Sequence, residues 1–298
     1  MKKWIHVILG TLLLTLMLGA TALAAPKEGT IIALGADLSP EQRATVLSLM
    51  GVTEEELSSY TVITITNSDE HQYLDSYLDP SVIGTKALSS VMVTPAESGH
   101  GVMVTTQNIN YCTTGMYRNA LLTAGVEDAD ILVVGPTEIS GTAALIGALK
   151  AYEKASGETI SDSTMDTALN ELIATGEIAS KSANSEEVEE LIAFIKAKLA
   201  AGELETEEDI RRAIAEGEQR FGVSLDESEI QQIVDFMMKI KKLGLDPNVL
   251  LDQAADLYDQ FGDELLTKAS DEGFWKSVWG FFSNCGNSVI DFFKNLFS

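Results

Sequence analysis

Two histidines lie beyond residue 24, His71 and His100, and they are the imidazoles that a general acid–base mechanism would draw on. His100 sits in Ser98-Gly99-His100-Gly101, where Ser98 invites comparison with an activated nucleophile. No Gly-x-Ser-x-Gly elbow is present, and neither histidine has an orienting carboxylate evident in the sequence. No catalytic residue is assigned. Two polar stretches follow apolar runs. One contains Asn108, Asn110, Thr113 and Thr114; the other contains Thr137, Ser140 and Thr142. Polar loops at the carboxyl ends of strands commonly hold ligands, and helix N-termini attract anions. The same residue types also cap helices and satisfy loop backbone with no ligand at all. Both readings stand at this point.

Metal chemistry finds little support in the spacing. Neither an Asp-x-Asp-x-Asp-Gly loop nor a His-Glu-x-x-His helix occurs, and the two cysteines, Cys112 and Cys285, cannot build a thiolate zinc site. The acidic runs Glu186-Glu187 with Glu189-Glu190, and Glu203 to Asp209, read as solvated helix faces and favourable first-turn charges. Weak, nonspecific Ca²⁺ association is expected of them. No cofactor and no dedicated metal are expected.

The third chemistry-bearing region is apolar. Phe274, Trp275, Val278, Trp279, Phe282, Val289, Phe293, Leu296 and Phe297 recur at steps of three and four, with Cys285 on the same stripe. Eight of the chain's 20 aromatic residues fall in this tail. An amphipathic aromatic helix suits a membrane interface, a partner's groove or a groove on the protein's own body. Gly280 and Gly286 lower its intrinsic helicity, so it needs a surface on which to form.

Charge and length bound the remaining possibilities. The formal net charge is −25 over 298 residues. Such a body repels nucleic acid, whose phosphates require Lys and Arg. Residues 25–157 carry 16 acidic and 6 basic side chains, residues 158–272 carry 28 and 10, and residues 273–298 carry one and two. Of these three segments the tail alone escapes the negative charge. At the other end, Lys2 and Lys3 precede an apolar run from Ile5 to Leu18 closed by Ala22-Leu23-Ala24. That order is a secretory signal peptide, with cleavage expected between Ala24 and Ala25. The apolar run is short of the ~20 residues that span a bilayer. An exported, secreted or envelope-associated protein is the expectation.

The elements follow from pattern. Thr30 to Leu34 and Val62 to Thr66 read as strands, and Ser39-Pro40-Glu41-Gln42 opens a helix with a capping box and proline at its first position. Val91–Val93 and Val102–Thr105 look like strands paired around the turn-rich Glu97 to Gly101. A helix spans Thr113 to Ala124, and Ile131–Val134 is apolar throughout, as in a strand covered on both faces. A last helix runs from near Ser140 to Gly157. Beyond it, helical periodicity continues through Val188–Leu199, Ile210–Ile214, Ile230–Met237 and Leu250–Phe261. The expected fold class is α+β: a mixed α/β layer domain over 25–157, an acidic all-α bundle over 158–272 and an amphipathic helix over 273–298, after a signal peptide over 1–24. The two larger parts are expected to fold separately, with a boundary near Ser156-Gly157-Glu158.

Three blocks carry a family resemblance. They are Gly101 to Tyr111, Met116 to Gly125, and Ser140 to Leu145 leading into Lys150-Ala151-Tyr152-Glu153. Together they resemble the YpuA-like secreted proteins of Firmicutes, a domain of unknown function (1002). The resemblance implies export and this architecture, and it brings no activity or catalytic residue with it. A non-enzymatic protein of the Gram-positive envelope is expected, binding a membrane surface or envelope protein through its tail. The alternative is an extracytoplasmic ligand-binding protein or enzyme that uses the two polar loops.

Overall fold

The computed structural model describes residues 28–244 apart from 158, 183 and 184. The aromatic tail, Cys285 and the expected signal peptide lie outside the described residues. Five strands form one sheet: β1 (Ile31–Gly35), β2 (Thr61–Ile65), β3 (Ser90–Pro95), β4 (Val102–Ile109) and β5 (Ala129–Ile139). Their order is β2-β1-β3-β5-β4. β1 pairs parallel with β2, β4 pairs parallel with β5, and β3 runs antiparallel between β1 and β5. Four strands therefore end at the same edge of the sheet.

The expected pairing of the segments now called β3 and β4 is wrong. β5 lies between them, with Met92 opposite Leu132 on one side and Thr105 opposite Leu132 on the other. The apolar Ile131–Val134 run needs cover on both faces, and a central strand supplies it. β4, with Val102 and Val104 buried but Met103 half exposed, has the alternation of an edge.

Helices cover the two faces unequally. α1 (Pro40–Met50) starts at the expected Ser39–Gln42 capping box and lays Val46, Leu47 and Met50 against Ile32, Leu34 and Val134. The opposite face carries α2 (Asn67–Leu74), α4 (Thr114–Thr123) and α5 (Thr142–Ser156), with the short α3 (Pro80–Ile83) between α2 and β3. α5 approaches the sheet so closely that a Cβ on Gly147 would lie 2.9 Å from that of Ala33, so only glycine fits there.

α6 (Asp162–Lys181) joins the two parts. Met165, Ala168, Leu169, Leu172 and Ile173 belong to the core beneath the sheet, whereas Ala174, Ile178 and Ala179 belong to a second core. That second core is built with α7 (Ser185–Ala200), α8 (Glu207–Phe221) and α9 (Glu227–Leu243). α8 and α9 begin at the capping boxes Thr206/Asp209 and Asp226/Glu229, and end at Gly222 and Gly244 in the left-handed region. Asp166 on α6 accepts from the Tyr77 hydroxyl and, at 3.0 Å, from Lys239 on α9.

Charge lies buried where the two cores meet. Lys196 on α7 is 0 % exposed and reaches Glu171 on α6 at 2.7 Å and Thr123 on α4 at 2.8 Å. Glu189 and Glu190, expected on a solvated face, are buried as well. Glu189 accepts from the Thr113 hydroxyl at the start of α4.

Candidate functional site

The edge where β1, β2, β4 and β5 end is the place where a fold of this kind gathers its polar loops. The segments after β4 and β5 do come together. Ile109 pairs with Ile139, the Asn110 amide donates to the Ile139 carbonyl at 2.9 Å, and the Cys112 amide donates to the Ser140 carbonyl at 3.0 Å. A bulge at Asn108, whose φ is +59°, turns its side chain so that Nδ2 donates to the Gly135 carbonyl at 3.0 Å.

The candidate residues divide by what they touch. Thr113 caps α4, accepting from the Met116 amide at 3.1 Å while donating to Glu189. Thr114 is the first residue of that helix. Asn110 and Thr137 are exposed. Ser140 does not cap α5; Gly141, in the left-handed region, takes that position, and its carbonyl accepts from the Tyr117 hydroxyl at 2.6 Å. Thr142 donates to Glu70 Oε1 at 2.7 Å. A hydroxyl has one proton, so Ser140, 3.3 Å from the Thr142 oxygen, is the donor in that contact.

Glu70 is the residue that sequence reasoning missed. It sits 1 % exposed on α2, and its second oxygen accepts from Asn67 Nδ2 at 3.2 Å. An acid in the first turn of a capped helix looks like an ordinary surface charge, and only the approach of α5 buries it. Burial pushes its carboxyl up, partly offset by the hydrogen bonds from Thr142 and Asn67. The same burial takes the Cys112 thiol up to about 12 and the Tyr117 hydroxyl well above its ordinary range. A thiol held protonated is a weak nucleophile, so Cys112 serves here as a small buried side chain. The arrangement closes two loops over α2, α4 and α5 and favours neutral groups.

Both histidines have carboxylate partners that the sequence does not reveal. His71 Nδ1 lies 2.6 Å from Asp75, and His100 Nε2 lies 2.8 Å from Asp130. His71 turns its other nitrogen to the Gly84 carbonyl at 3.3 Å, so both ring nitrogens are engaged within the protein. Among the described residues, no group of three or more His, Cys, Asp or Glu side chains is placed to hold a metal ion, and no helix is long and apolar enough to cross a membrane.

Comparison with known proteins places the chain. It is similar to the "Uncharacterized protein YpuA" of Bacillus subtilis (strain 168), with 39 % identity over 301 residues covering 99 % of this chain and 100 % of the relative. No solved structure matches it. The family described as "Protein of unknown function (DUF1002)" matches over residues 34–257, which takes in strands β2 to β5, the end of β1 and every described helix. The chain therefore belongs to the DUF1002 family.

Proposed function

We propose that this is an exported, non-enzymatic protein of the cell envelope that acts by binding, and that the aromatic segment from Phe274 to Phe297 makes the contact. The observation that carries this reading is the contrast in charge: a chain of net −25 ends in a segment with one acid, two bases and eight aromatic residues. Burying large apolar side chains contributes roughly 1.5–3 kcal/mol each before ordering costs. Repulsion of the acidic body by an anionic leaflet fades beyond a Debye length of about 8–10 Å. A near-neutral tail can therefore engage a surface from which the body is repelled.

The carboxyl edge supports the same reading. Its hydroxyls and amides hold caps and loop contacts, and its ionisable groups are driven toward their neutral forms. Co-sedimentation with anionic liposomes, in high salt and with added Ca²⁺, tests the proposal. The chain from residue 25 to 298 is expected to pellet, and one ending at Glu272 to stay in solution. If both stay in solution while Trp279 is quenched and protease-protected without lipid, the tail packs on its own body and the membrane reading falls.

A further inference from the structure

The seam between the two cores, where Lys196 meets Glu171, is buried, and the backbone that stays open lies at the two edges of the sheet. A sheet edge presents a row of unpaired N–H and C=O groups, which proteins blunt with charge, proline, a bulge or a covering side chain. β4 is blunted. The Ala129 amide donates to the Gly101 carbonyl at 3.0 Å, so residues 101, 103 and 105 turn their backbone groups toward β5, and Val102 and Val104 turn theirs outward. Arg118, buried on α4, donates from Nε to the outward Val102 carbonyl at 3.2 Å, and the bulge at Asn108 bends the far end.

β2, the other edge, has none of these devices. Thr61-Val62-Ile63-Thr64-Ile65 contains no charge, proline or glycine, and all five residues pair with β1 without a register shift. The Ala36 amide donates to the Ile65 carbonyl at 2.8 Å, which places the backbone groups of Thr61, Ile63 and Ile65 toward β1. The N–H and C=O groups of Val62 and Thr64 therefore point away from the sheet. No strand lies beyond them among the described residues. The Val62 side chain is itself 38 % exposed: α1 packs on Ile32, its neighbour on β1, and leaves Val62 outside that core.

We propose that this edge binds an extended, basic segment of a partner protein, which joins the sheet as a further strand beside β2. Strand addition draws affinity from main-chain hydrogen bonds and specificity from alternate side chains. Val62 and Thr64 each offer one outward donor and one outward acceptor, and their exposed side chains give the added strand a β-branched surface to pack on. Charge selects a basic partner. The chain carries net −25, and in the turn leading into β2 the exposed Glu55 and its neighbour Glu56 have no basic partner among the described residues, whereas Glu54 holds Arg43. An acidic segment is repelled there, and so is a second copy of this chain. The bare edge is also short. Its five residues span roughly 17 Å, too little for the ~1,200–2,000 Å² that stable protein–protein interfaces bury, but enough for a peptide strand.

The probe is a fluorescein-labelled peptide of alternating threonine and valine with lysines at both ends, titrated by anisotropy with the chain from residue 25 to 298. Saturable binding is expected. Three changes should each weaken it at least tenfold: N-methylation of the peptide at alternate residues, which keeps its charge but removes donors; glutamates in place of its lysines; and Thr64→Pro in the protein. The Thr64 N–H faces outward, so proline there removes no bond to β1, and thermal unfolding of T64P checks that the fold is kept. Absence of saturable binding to the wild type overturns the proposal. Equal binding of the N-methylated peptide, or equal binding by T64P, shows that charge alone draws the peptide and overturns it too. So does equal binding of the glutamate peptide. Sedimentation that finds the wild type dimeric and T64P monomeric would give the edge to a second copy instead.

Discussion

Glu70 and Glu171 are the same side chain removed from water to the same extent, 1 % and 0 % exposed, yet their neighbours give them different work. Glu70 faces two neutral donors, Asn67 on its own helix and Thr142, which ties α2 to α5. Its burial is relieved most simply by holding a proton. Glu171 faces an ammonium, and Thr123 fixes its second oxygen. A buried carboxylate beside neutral donors fastens loops. One beside a buried ammonium ties two helices, α6 and α7, by charge. What distinguishes the two places is the company each acid keeps.

Breaking the seam is expected to have the largest effect. Lys196→Ala leaves Glu171 as an uncompensated buried charge, which costs about 3–5 kcal/mol. Urea unfolding of K196A and wild type at pH 7 measures that loss. Equal midpoints for K196A and wild type would show that the seam carries no stability.

The next effect concerns the two loops. Thr113→Ala removes a helix cap and the hydroxyl that reaches Glu189, an expected loss of about 1–2 kcal/mol. Ser140→Ala removes only a long contact to Thr142, and is expected to cost less than about 0.5 kcal/mol. Thermal unfolding of the two variants compares them directly. A large loss of any cellular phenotype in S140A, with stability intact, would favour the ligand-site alternative.

Much of this architecture is legible in the chain. The Ser39, Thr206 and Asp226 capping boxes and the glycine stops at Gly222 and Gly244 are local, and local signals survive into the fold. Strand partners are not local. Val91–Val93 and Val102–Thr105 are separated by a turn in the sequence, and nothing there announces that β5 will come between them. The loops after β4 and β5 can be found as strand-following polar runs, and their convergence follows from parallel pairing. Glu70, Glu189 and Lys196 remain hidden for one reason. A charged residue on a polar helix reads as solvated unless a neighbouring helix is known to cover it.

Small effects that appear only as pH changes come from two adjacent residues that titrate in opposite senses. Burial would raise the Asp69 carboxyl, but the Lys150 ammonium at 2.6 Å and the Thr66 hydroxyl and amide outweigh it and hold it down at about 2. Its folded pKa lies below the unfolded value, so it contributes stability above about pH 4 that is lost as pH falls toward 2. With solvent screening of a partly exposed pair, that contribution is about 1 kcal/mol. Glu70 has the reverse sign. Its folded pKa is raised, so the folded state binds the proton more tightly and stability falls as pH rises through that folded value. Glu70→Gln should leave stability at pH 7 within about 1 kcal/mol of wild type, because its one carbonyl oxygen can still accept from Thr142 and the lost acceptor for Asn67 is offset by the absence of a buried charge. It should also remove the decline above pH 4.5, the ordinary value for the carboxyl. Asp69→Asn should instead remove the decline below pH 4. Unfolding free energies measured from pH 2.5 to pH 8 for both variants decide it. If Glu70→Gln behaves like Asp69→Asn, Glu70 is stabilised as the anion and the contrast with Glu171 loses its basis.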